Sequence, residues 1–357
     1  MKLVFDLMPT LENGRNSEGA FIRIPDGRIL FAYSSYVGDT QHDHGDCNIS
    51  AIYSSDEGES WSESVVIAKA SDFGVGNIMS VSALVQEDGS LGLYFLVKEN
   101  DKTTTIARAI SKDGVNFRIE RCGMNCVKAY YVVNNDRIRR MSDNSIVAPA
   151  AYVCVDSERY DRLWISVCLV SRDDGKTFEA TKPRLTIPVL RSGDVGMQEP
   201  GIIEHLDGTV RLFARTSAGY QYESYSRDFM NSFTMPMPSI FQSPTSPMQI
   251  SRDTYSSDLY AVYNPIPHVI KELGICDKDA SWGRTPFVIR KSVDDGRTFG
   301  EVNIIENDRS RGFCYPALFF TADNSILCAY CRGSSGSPDK NVLARLGIMK
   351  ISKDEIK

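Results

Sequence analysis

The sequence lacks any apolar run near the roughly 20 residues that a membrane-spanning helix needs. It also lacks a basic cluster, and its net charge of −6 disfavours nucleic acid as a partner. The apolar stretch within residues 1–7 is too short for a signal peptide. We therefore expect no membrane segment and a cytoplasmic location, or a secreted or periplasmic one if a leader has been removed.

A regular disulfide framework is missing too. The cysteines number nine, an odd count that is typical of reduced thiols when no spacing pattern accompanies it. Cys122 and Cys126 lie close together, but no second cysteine or histidine pair stands at zinc-ligand spacing. We expect neither a metal nor a cofactor.

One phrase recurs in the chain: Ser-x-Asp-x-Gly-x-(Thr or Ser)-aromatic. Three full copies run from residues 54 to 61, 171 to 178 and 292 to 299, and two degenerate copies run from 111 to 117 and 226 to 233. Serine and aspartate side chains bond nearby amides, and glycine supplies a left-handed backbone. The phrase therefore predicts a turn between strands rather than a binding site.

A second signal, a tight turn between strand-like stretches, recurs in step with the first. Its positions are Asp26-Gly27, Asp88-Gly89, Asp143-Asn144, Asp207-Gly208, Ser257-Asp258 and Asp323-Asn324. Such pairs are typical of two-residue hairpins. Successive turns are 51 to 65 residues apart, about the length of one four-stranded sheet with its loops.

The order of hairpin, strand, phrase and strand predicts an all-β protein, a six-bladed β-propeller of four-stranded antiparallel blades. We expect one such domain over residues 1–357. The sixth blade has no copy of the phrase. We expect a first strand at residues 2–7 to complete that blade beside a C-terminal strand at residues 342–351.

The start of each innermost strand lies at the face where propellers build sites. Counting eight residues back from each turn predicts these starts, and blade five has a longer turn. The count gives Glu18, Ser80, Asn135, Glu199 and Tyr315, with Ser246 in blade five. A polar ring on the axis suits a small-molecule pocket. The alternative, favoured for Ser80 and Ser246, is that these residues are solvated strand ends around a water-filled channel.

Tyr315 and Glu199 can form an activated nucleophile, because the carboxylate takes the phenol proton as the oxygen attacks. A further acid must protonate the leaving group. The loop at residues 42–46, His-Asp-His-Gly-Asp, should overhang the same face and supplies Asp43 or Asp46. Its two histidines could instead chelate a metal.

The repeated phrase resembles the Asp box of sialidases, and the resemblance covers nearly the whole chain. It implies a six-bladed propeller that cleaves a terminal sugar with retention through a tyrosine nucleophile. Residue by residue, the resemblance implies Tyr315 as nucleophile, Glu199 as its assisting carboxylate and Asp43 as acid/base, with Asp46 as the second choice.

The resemblance is incomplete at the three arginines with which sialidases bind a substrate carboxylate. Arg23, in an Arg-Ile-Pro run, stands too near its turn, and the equivalent position falls near Glu18, which would repel a carboxylate. The second arginine has no counterpart in residues 218–221, and Arg284 matches the third. Arg215 or Arg137 could rebuild part of this carboxylate-binding clamp of three arginines, or either could be an arginine at the surface or at the end of a strand. The candidate substrate-binding residues are Arg284, Arg215, Gln221, Asn135, Arg137, Asp46 and Glu18.

We therefore predict a sialidase-like exo-glycoside hydrolase that acts on a terminal sugar, sialic acid or another, with carbohydrate as its partner. Two alternatives stay open. One is a sugar-binding propeller without catalysis, in which Tyr315 is a stacking platform. The other is an enzyme of different chemistry, an inverting glycosidase or a lyase. The sequence does not predict an oligomeric state.

Overall fold

The computed structural model describes residues 1–153, 163–188, 195–267, 277–336 and 338–357. In these residues, antiparallel sheets form six blades around one axis, which confirms the predicted propeller. Helix is limited there to α1 (Lys278–Ser281) and two 3-10 turns, Ala70–Phe73 and Lys353–Glu355. No helix in the described part of the chain has the length and apolarity to cross a membrane.

The strands follow the chain blade by blade. The chain opens with β1 (Lys2–Leu7), and blade one consists of β2 (Asn16–Arg23), β3 (Ile29–Tyr36), β4 (Cys47–Ser54) and β5 (Val65–Ala68). Blade two consists of β6 (Ile78–Val85), β7 (Leu91–Asn100), β8 (Thr103–Ser111) and β9 (Arg118–Arg121). Blade three contains β10 (Gly123–Asn125), β11 (Tyr130–Val132), β12 (Arg139–Arg140), β13 (Ile146–Val153), β14 (Ile165–Ser171) and β15 (Thr177–Ala180).

The second half continues in the same order. Blade four consists of β16 (Gln198–Glu204), β17 (Val210–Arg215), β18 (Tyr220–Ser226) and β19 (Met237–Gln242). Blade five consists of β20 (Gln249–Arg252), β21 (Leu259–Tyr263), β22 (Phe287–Ser292) and β23 (Asn303–Glu306). Blade six contains β24 (Cys314–Phe320), β25 (Ser325–Cys331) and β26 (Leu346–Ser352).

Blades three and six depart from a simple four-strand repeat. In blade three the innermost strand is split into β11 and β12, which both pair with β13, while β10 adds in parallel to the outer strand β15. In blade six β1 pairs antiparallel with β26, with Leu7 opposite Leu346. The expected joining of the first and last strands in one blade is therefore confirmed.

The repeated phrase forms the turn between the third and fourth strands of a blade, as predicted. In the first copy the Ser54 hydroxyl accepts a hydrogen bond from the Gly58 amide at 2.8 Å, and Asp56 accepts one from the Ser60 amide at 2.9 Å. The copies at 171–178 and 292–299 repeat both bonds. The glycine also approaches a neighbouring blade, since a Cβ at Gly58 would lie 2.6 Å from the Leu327 side chain. The phrase thus serves blade packing.

We expect Gly175→Ala to destabilise the protein more than Gly208→Ala. Both glycines have φ of 80°, so alanine strains both backbones by about 1–2 kcal/mol. A Cβ at Gly175 would also lie 1.9 Å from the Tyr94 hydroxyl, whereas one at Gly208 meets nothing within 4 Å. Overpacking adds about 1–3 kcal/mol at Gly175 alone. Urea unfolding of both variants measures the difference, and equal losses would contradict the close blade contact.

Candidate active site

The innermost strands share a backbone feature at the face where they begin. Five of their residues have a left-handed backbone, with φ between 48° and 63°: Glu18, Ser80, Asp136, Glu199 and Tyr315. In β2, β6, β16 and β24 the pairing register shifts at this residue. Such bulges change the direction of a side chain. The left-handed backbone costs about 1–2 kcal/mol for each residue that is not glycine. Four blades thus use the same irregularity where the predicted polar ring lies, and blade three uses Asp136, one residue after Asn135.

Tyr315 and Glu199 meet across the axis. The Tyr315 hydroxyl donates a hydrogen bond to Glu199 Oε1 at 3.0 Å, and both residues are 8% exposed. The other carboxylate oxygen, Oε2, lies 3.1 Å from Arg215 Nε. Strand pairing explains this ion pair, because Arg215 ends β17 opposite Gln198 at the start of β16. A phenol, a carboxylate and a guanidinium therefore form one contiguous group.

The loop at residues 42–46 lies over the same face, and hydrogen bonds from three neighbouring side chains fix its position. Arg15 donates to Asp43 Oδ1 at 2.5 Å, and Asn77 donates to the Asp43 carbonyl at 3.2 Å. The Lys98 ammonium also donates to that carbonyl. Arg15 is 1% exposed, and its guanidinium lies 3.8 Å from Glu18 Oε2. The structure thus fixes Asp43 by two cations, Arg15 and Lys98, that the sequence patterns did not reveal.

The site places its ionisable groups in contrasting environments. Burial and then the charge of Glu199 raise the pKa of Tyr315 well above its usual value, although Arg215 and Arg284 oppose them. Desolvation raises the pKa of Asp43, but the charge and hydrogen bond of Arg15, with Lys98, lower it overall. The Tyr315 phenol consequently keeps its proton at neutral pH unless a base removes it, and Asp43 is a carboxylate.

Glu18 carries the opposite shift to that of Asp43. Burial raises its pKa to about 7, and the charges of Asp43 and Glu199 add to the shift, while those of Arg15 and Lys98 oppose it. Its carboxylate lies 3.5 Å from the Ser80 hydroxyl. A carboxyl group that holds a proton near neutral pH therefore lies beside the Tyr315–Glu199 pair.

A cavity of about 200 Å³ opens onto this group. Its polar lining includes Asp43, His44, Asp101, Glu199, Arg215 and Tyr315, and Tyr130, Val132, Val153 and Trp164 also contribute to its walls. A few convergent polar groups beside apolar walls are typical of small-molecule sites, although most of those enclose roughly 300–1,000 Å³. The smaller volume suits one sugar ring rather than a chain of rings.

The other predicted substrate-binding residues lie outside this lining. Asn135 donates to the carbonyls of Gly19 at 2.9 Å and Tyr315 at 3.3 Å, and so ties blade three to blades one and six. Arg137 donates to Gln249 and to the Met248 carbonyl of blade five. These bonds fill the axis with links between blades.

Gln221, Asp46 and Arg284 are also absent from the cavity lining. Gln221 donates to Ser243 at 2.9 Å, and the Asp46 carbonyl accepts from the Val37 amide at 2.8 Å. Arg284 lies 5.6 Å from the Tyr315 ring centre.

The guanidinium of Arg284 faces a thiol. Its Nη1 donates to Cys314 Sγ at 3.0 Å, and Nη2 donates to the Thr245 carbonyl at 3.4 Å. Burial raises the pKa of the Cys314 thiol, but hydrogen bonds from Cys331 and Arg284 and the charge of Arg284 lower it overall. The one arginine that matches the sialidase clamp is thus committed to an interior contact in this structure.

A larger cavity of about 550 Å³ lies at the other ends of the innermost strands. Arg23 is in its lining and forms a bidentate ion pair with Glu57, in which each of the two hydrogen bonds is 2.8 Å long. The Arg-Ile-Pro run is therefore on the face away from Tyr315, as its position in the strand predicts. Among the described residues that line this larger cavity, no tyrosine donates a hydrogen bond to a carboxylate, so the smaller cavity is the candidate active site.

Several residues of the site carried no sequence signal. Arg15 precedes the first inner strand, Lys98 stands near the end of β7, the second strand of blade two, and both patterns are typical of solvated positions. Trp164 comes immediately before β14. Gln198 was adjacent to a predicted residue, because it directly precedes Glu199, and His44 directly follows Asp43.

The fold and the tyrosine–carboxylate group define a propeller of the sialidase-like class. Residues 15–328 match the family described as a BNR repeat-like domain, and the chain belongs to that family. Comparison with curated proteins gives no match.

Solved structures show the same fold at low identity. The NanB sialidase of Streptococcus pneumoniae is 14% identical with a TM-score of 0.72, over 100% of this chain and 71% of that one. The Hadza microbial sialidase Hz136 is 14% identical with a TM-score of 0.74, over 97% of this chain and 67% of that one. A protein of unknown function from Dyadobacter fermentans is 15% identical with a TM-score of 0.71, over 99% of both chains.

Proposed function

We propose that this protein is an exo-glycoside hydrolase that removes a terminal sugar with retention of configuration. The observation that carries the proposal is the hydrogen bond from the Tyr315 hydroxyl to Glu199 at 3.0 Å, on the wall of a cavity that Asp43 also lines. The sialidase-like fold and the BNR repeats support a glycoside hydrolase or a carbohydrate-binding role.

In the first step Tyr315 Oη bonds to the anomeric carbon while the bond to the leaving oxygen breaks. The phenol proton passes to Glu199, since the raised pKa of Tyr315 leaves little free phenolate at neutral pH. Asp43 gives a proton to the leaving oxygen. In the second step Asp43 takes a proton from water, the water oxygen bonds to the anomeric carbon while the bond from that carbon to Tyr315 Oη breaks, and Glu199 returns the proton to the Tyr315 oxygen.

The lowered pKa of Asp43 favours its part in the second step, which needs a carboxylate, over its part in the first, which needs an acid. A leaving group that needs little protonation relieves this demand. Aryl glycosides are therefore the substrates of choice for a first assay, since a phenolate leaves without full proton transfer.

The test is the configuration of the product. Purified protein is screened on a panel of aryl glycosides, aryl sialosides included, and proton NMR follows the first anomer formed from any substrate that is hydrolysed. We expect retention, because two displacements at one carbon restore its configuration. A product of inverted configuration would exclude Tyr315 as nucleophile and favour an inverting enzyme.

A second candidate function is sugar binding without catalysis. The ion pair between Arg15 and Asp43 favours it, because a carboxylate held in its ionised form is a poor acid. The same panel separates the two functions: sugar binding with no hydrolysis of any aryl glycoside would support the second candidate.

A further inference from the structure

The first step of the proposed reaction needs an acid, and the contacts of Asp43 suit it poorly to that part. Its Oδ1 accepts a hydrogen bond from Arg15 at 2.5 Å, and Lys98 donates to its backbone carbonyl. Two cations beside one carboxylate stabilise the ionised form, and the pKa of Asp43 is lowered accordingly. A protonated Asp43 would also lose its ion pair with Arg15. The structure therefore suits Asp43 to accept a proton rather than to give one.

His44 directly follows Asp43 in the chain. It lines the same cavity as Tyr315 and Glu199. Its Nδ1 lies 3.7 Å from Oδ1 of Asp101, which belongs to the turn between β7 and β8. A carboxylate beside one ring nitrogen orients an imidazole, and the other nitrogen can then face a substrate. Nε2 of His44, across the ring from Asp101, is thus the nitrogen that can donate a proton.

The exposed fractions of these side chains place His44 toward the mouth of the cavity. The side chains of His44 and Asp101 are 53% and 93% exposed, whereas Tyr315 and Glu199 are 8% exposed as whole residues. A sugar that bonds to Tyr315 must therefore turn its anomeric carbon toward the buried end. The nucleophile attacks that carbon from the side opposite to the leaving oxygen, so the leaving oxygen points toward the mouth and toward His44.

The neighbours of His44 suit an imidazole that carries charge during the reaction. Its ring centre lies 6.0 Å from that of Tyr130, with the two rings tilted by 43°. The Lys98 ammonium lies 6.0 Å from the same Tyr130 ring centre. The charge of His44 contributes to the lowered pKa of Asp43, so the two side chains interact directly. In the described residues, the titratable neighbours of His44 are Asp43 in its own loop, Asp101 from blade two and Tyr130 from blade three.

We propose that His44 is the general acid of the first step and that Asp43 is the general base of the second. In the first step the proton on His44 Nε2 passes to the leaving oxygen as the bond from that oxygen to the anomeric carbon breaks, and the imidazole becomes neutral. In the second step Asp43 takes a proton from water. That proton then moves through solvent to His44, which restores the carboxylate and the imidazolium. This inference rests on the proposed function and reassigns one of its proton transfers.

The test measures how each variant depends on the leaving group. The full-length protein is screened on aryl glycosides, and the sugar that it hydrolyses is then attached to a series of phenols, from dinitrophenol to unsubstituted phenol. His44→Asn should lower kcat/KM about 100-fold on the phenyl glycoside and less than about threefold on the dinitrophenyl glycoside, because only the poorer leaving group needs a proton. His42→Asn is the matched control, since it removes a histidine of the same loop that does not line the cavity. Equal losses on all glycosides in His44→Asn would indicate a structural role and overturn the inference.

Asp43→Asn should show a different pattern. Without its base the second step slows for every leaving group, so kcat on the dinitrophenyl glycoside should fall about 100-fold. The covalent intermediate should accumulate and give a burst of dinitrophenol before the slow steady state. A steep dependence on the leaving group in Asp43→Asn, with none in His44→Asn, would return both proton transfers to Asp43 and overturn the inference.

A pH profile provides a readout that a structural role would not change. In the native protein kcat/KM on the phenyl glycoside should fall as pH rises between about pH 5 and 8, the range in which histidines release their proton. His44→Asn should lack this fall. Glu18, with a pKa of about 7, ionises in the same range, but its ionisation would act on every glycoside alike. A fall of equal size on the phenyl and dinitrophenyl glycosides would therefore trace the profile to Glu18 and contradict the role of His44.

The native protein distinguishes failure of this inference from failure of the proposed function. Absence of hydrolysis on every glycoside would refute both together. Hydrolysis by the native protein, with a dependence on the leaving group that His44→Asn leaves unchanged, would overturn this inference alone and leave the glycoside hydrolase standing.

Discussion

Replacing Tyr315 with phenylalanine is expected to lower turnover of an aryl glycoside by at least about 10³-fold, because the variant has no oxygen to attack the anomeric carbon. The ring remains, so the packing of β24 against its neighbours is unchanged. What the protein loses is the hydroxyl that donates to Glu199, worth about 1–3 kcal/mol when the carboxylate is left without it. Steady-state kinetics and urea unfolding of the variant measure the two effects separately.

Tyr330→Phe is a matched control in the same blade. Its hydroxyl donates to Glu306 at 2.8 Å, and its ring is as deeply buried. The control removes the same kind of tyrosine–carboxylate bond between two residues outside the cavity lining, so we expect a similar loss of stability with turnover retained. Full turnover in Tyr315→Phe would show that the nucleophile lies elsewhere, and a loss shared by both variants would trace the effect to stability.

Glu18→Gln is expected to change how stability depends on pH. The pKa of Glu18 is about 7 in the folded protein against a usual value of 4.5, so between these values the folded state holds a proton that the unfolded state has released. Stability from this group is therefore fully present below pH 4.5 and is lost as pH rises to about 7. The loss amounts to about 3 kcal/mol, because each pH unit between the two pKa values contributes about 1.4 kcal/mol.

Glutamine keeps the shape and cannot ionise, so the variant should gain about 3 kcal/mol relative to the native protein between pH 4.5 and pH 8. Urea unfolding at both pH values measures this gain. Glu57→Gln is a control of opposite sign, because hydrogen bonding to Arg23 lowers the pKa of Glu57 and its stabilisation is lost as pH falls. A stability difference between Glu18→Gln and the native protein that does not vary with pH would contradict the buried, partly protonated state of Glu18.

The hairpin turns explain why so much of the propeller could be predicted. Each turn fixes where an inner strand ends, and strands of equal length then begin a constant number of residues earlier. Counting back eight residues locates the left-handed residues Glu18, Ser80, Glu199 and Tyr315. The count misses Asp136 by one residue, because the inner strand of blade three is split before it reaches its turn.

Blade five shows a second limit of the count. Its inner strand β20 has four residues, and Ser246 lies before it with its hydroxyl donating to Asn264 at 2.6 Å. No left-handed residue occurs there among the described positions. A short strand offers too little periodic pattern to fix a register from sequence.

The electrostatics of the site depend on contacts that no local pattern encodes. Arg15 pairs with Asp43 only because the loop at 42–46 folds back over the start of β2, and Lys98 arrives from blade two. These partners decide that Asp43 is a carboxylate. The sequence can thus suggest which residues approach the axis, but their charge states follow from the tertiary structure.

The pairing of β1 with β26 also bears on how the protein folds. The strand with Tyr315 belongs to a blade whose outer edge comes from the other end of the sequence, where Asp6 and Arg345, 339 positions apart, form a hydrogen bond. Closing so long a loop is slow relative to pairing neighbouring strands, and it raises the contact order of this blade alone. The other five blades can assemble from local hairpins as the chain is synthesised. The candidate active site would therefore form last, and the rate at which the proposed hydrolase activity returns on refolding would report the closure of the ring.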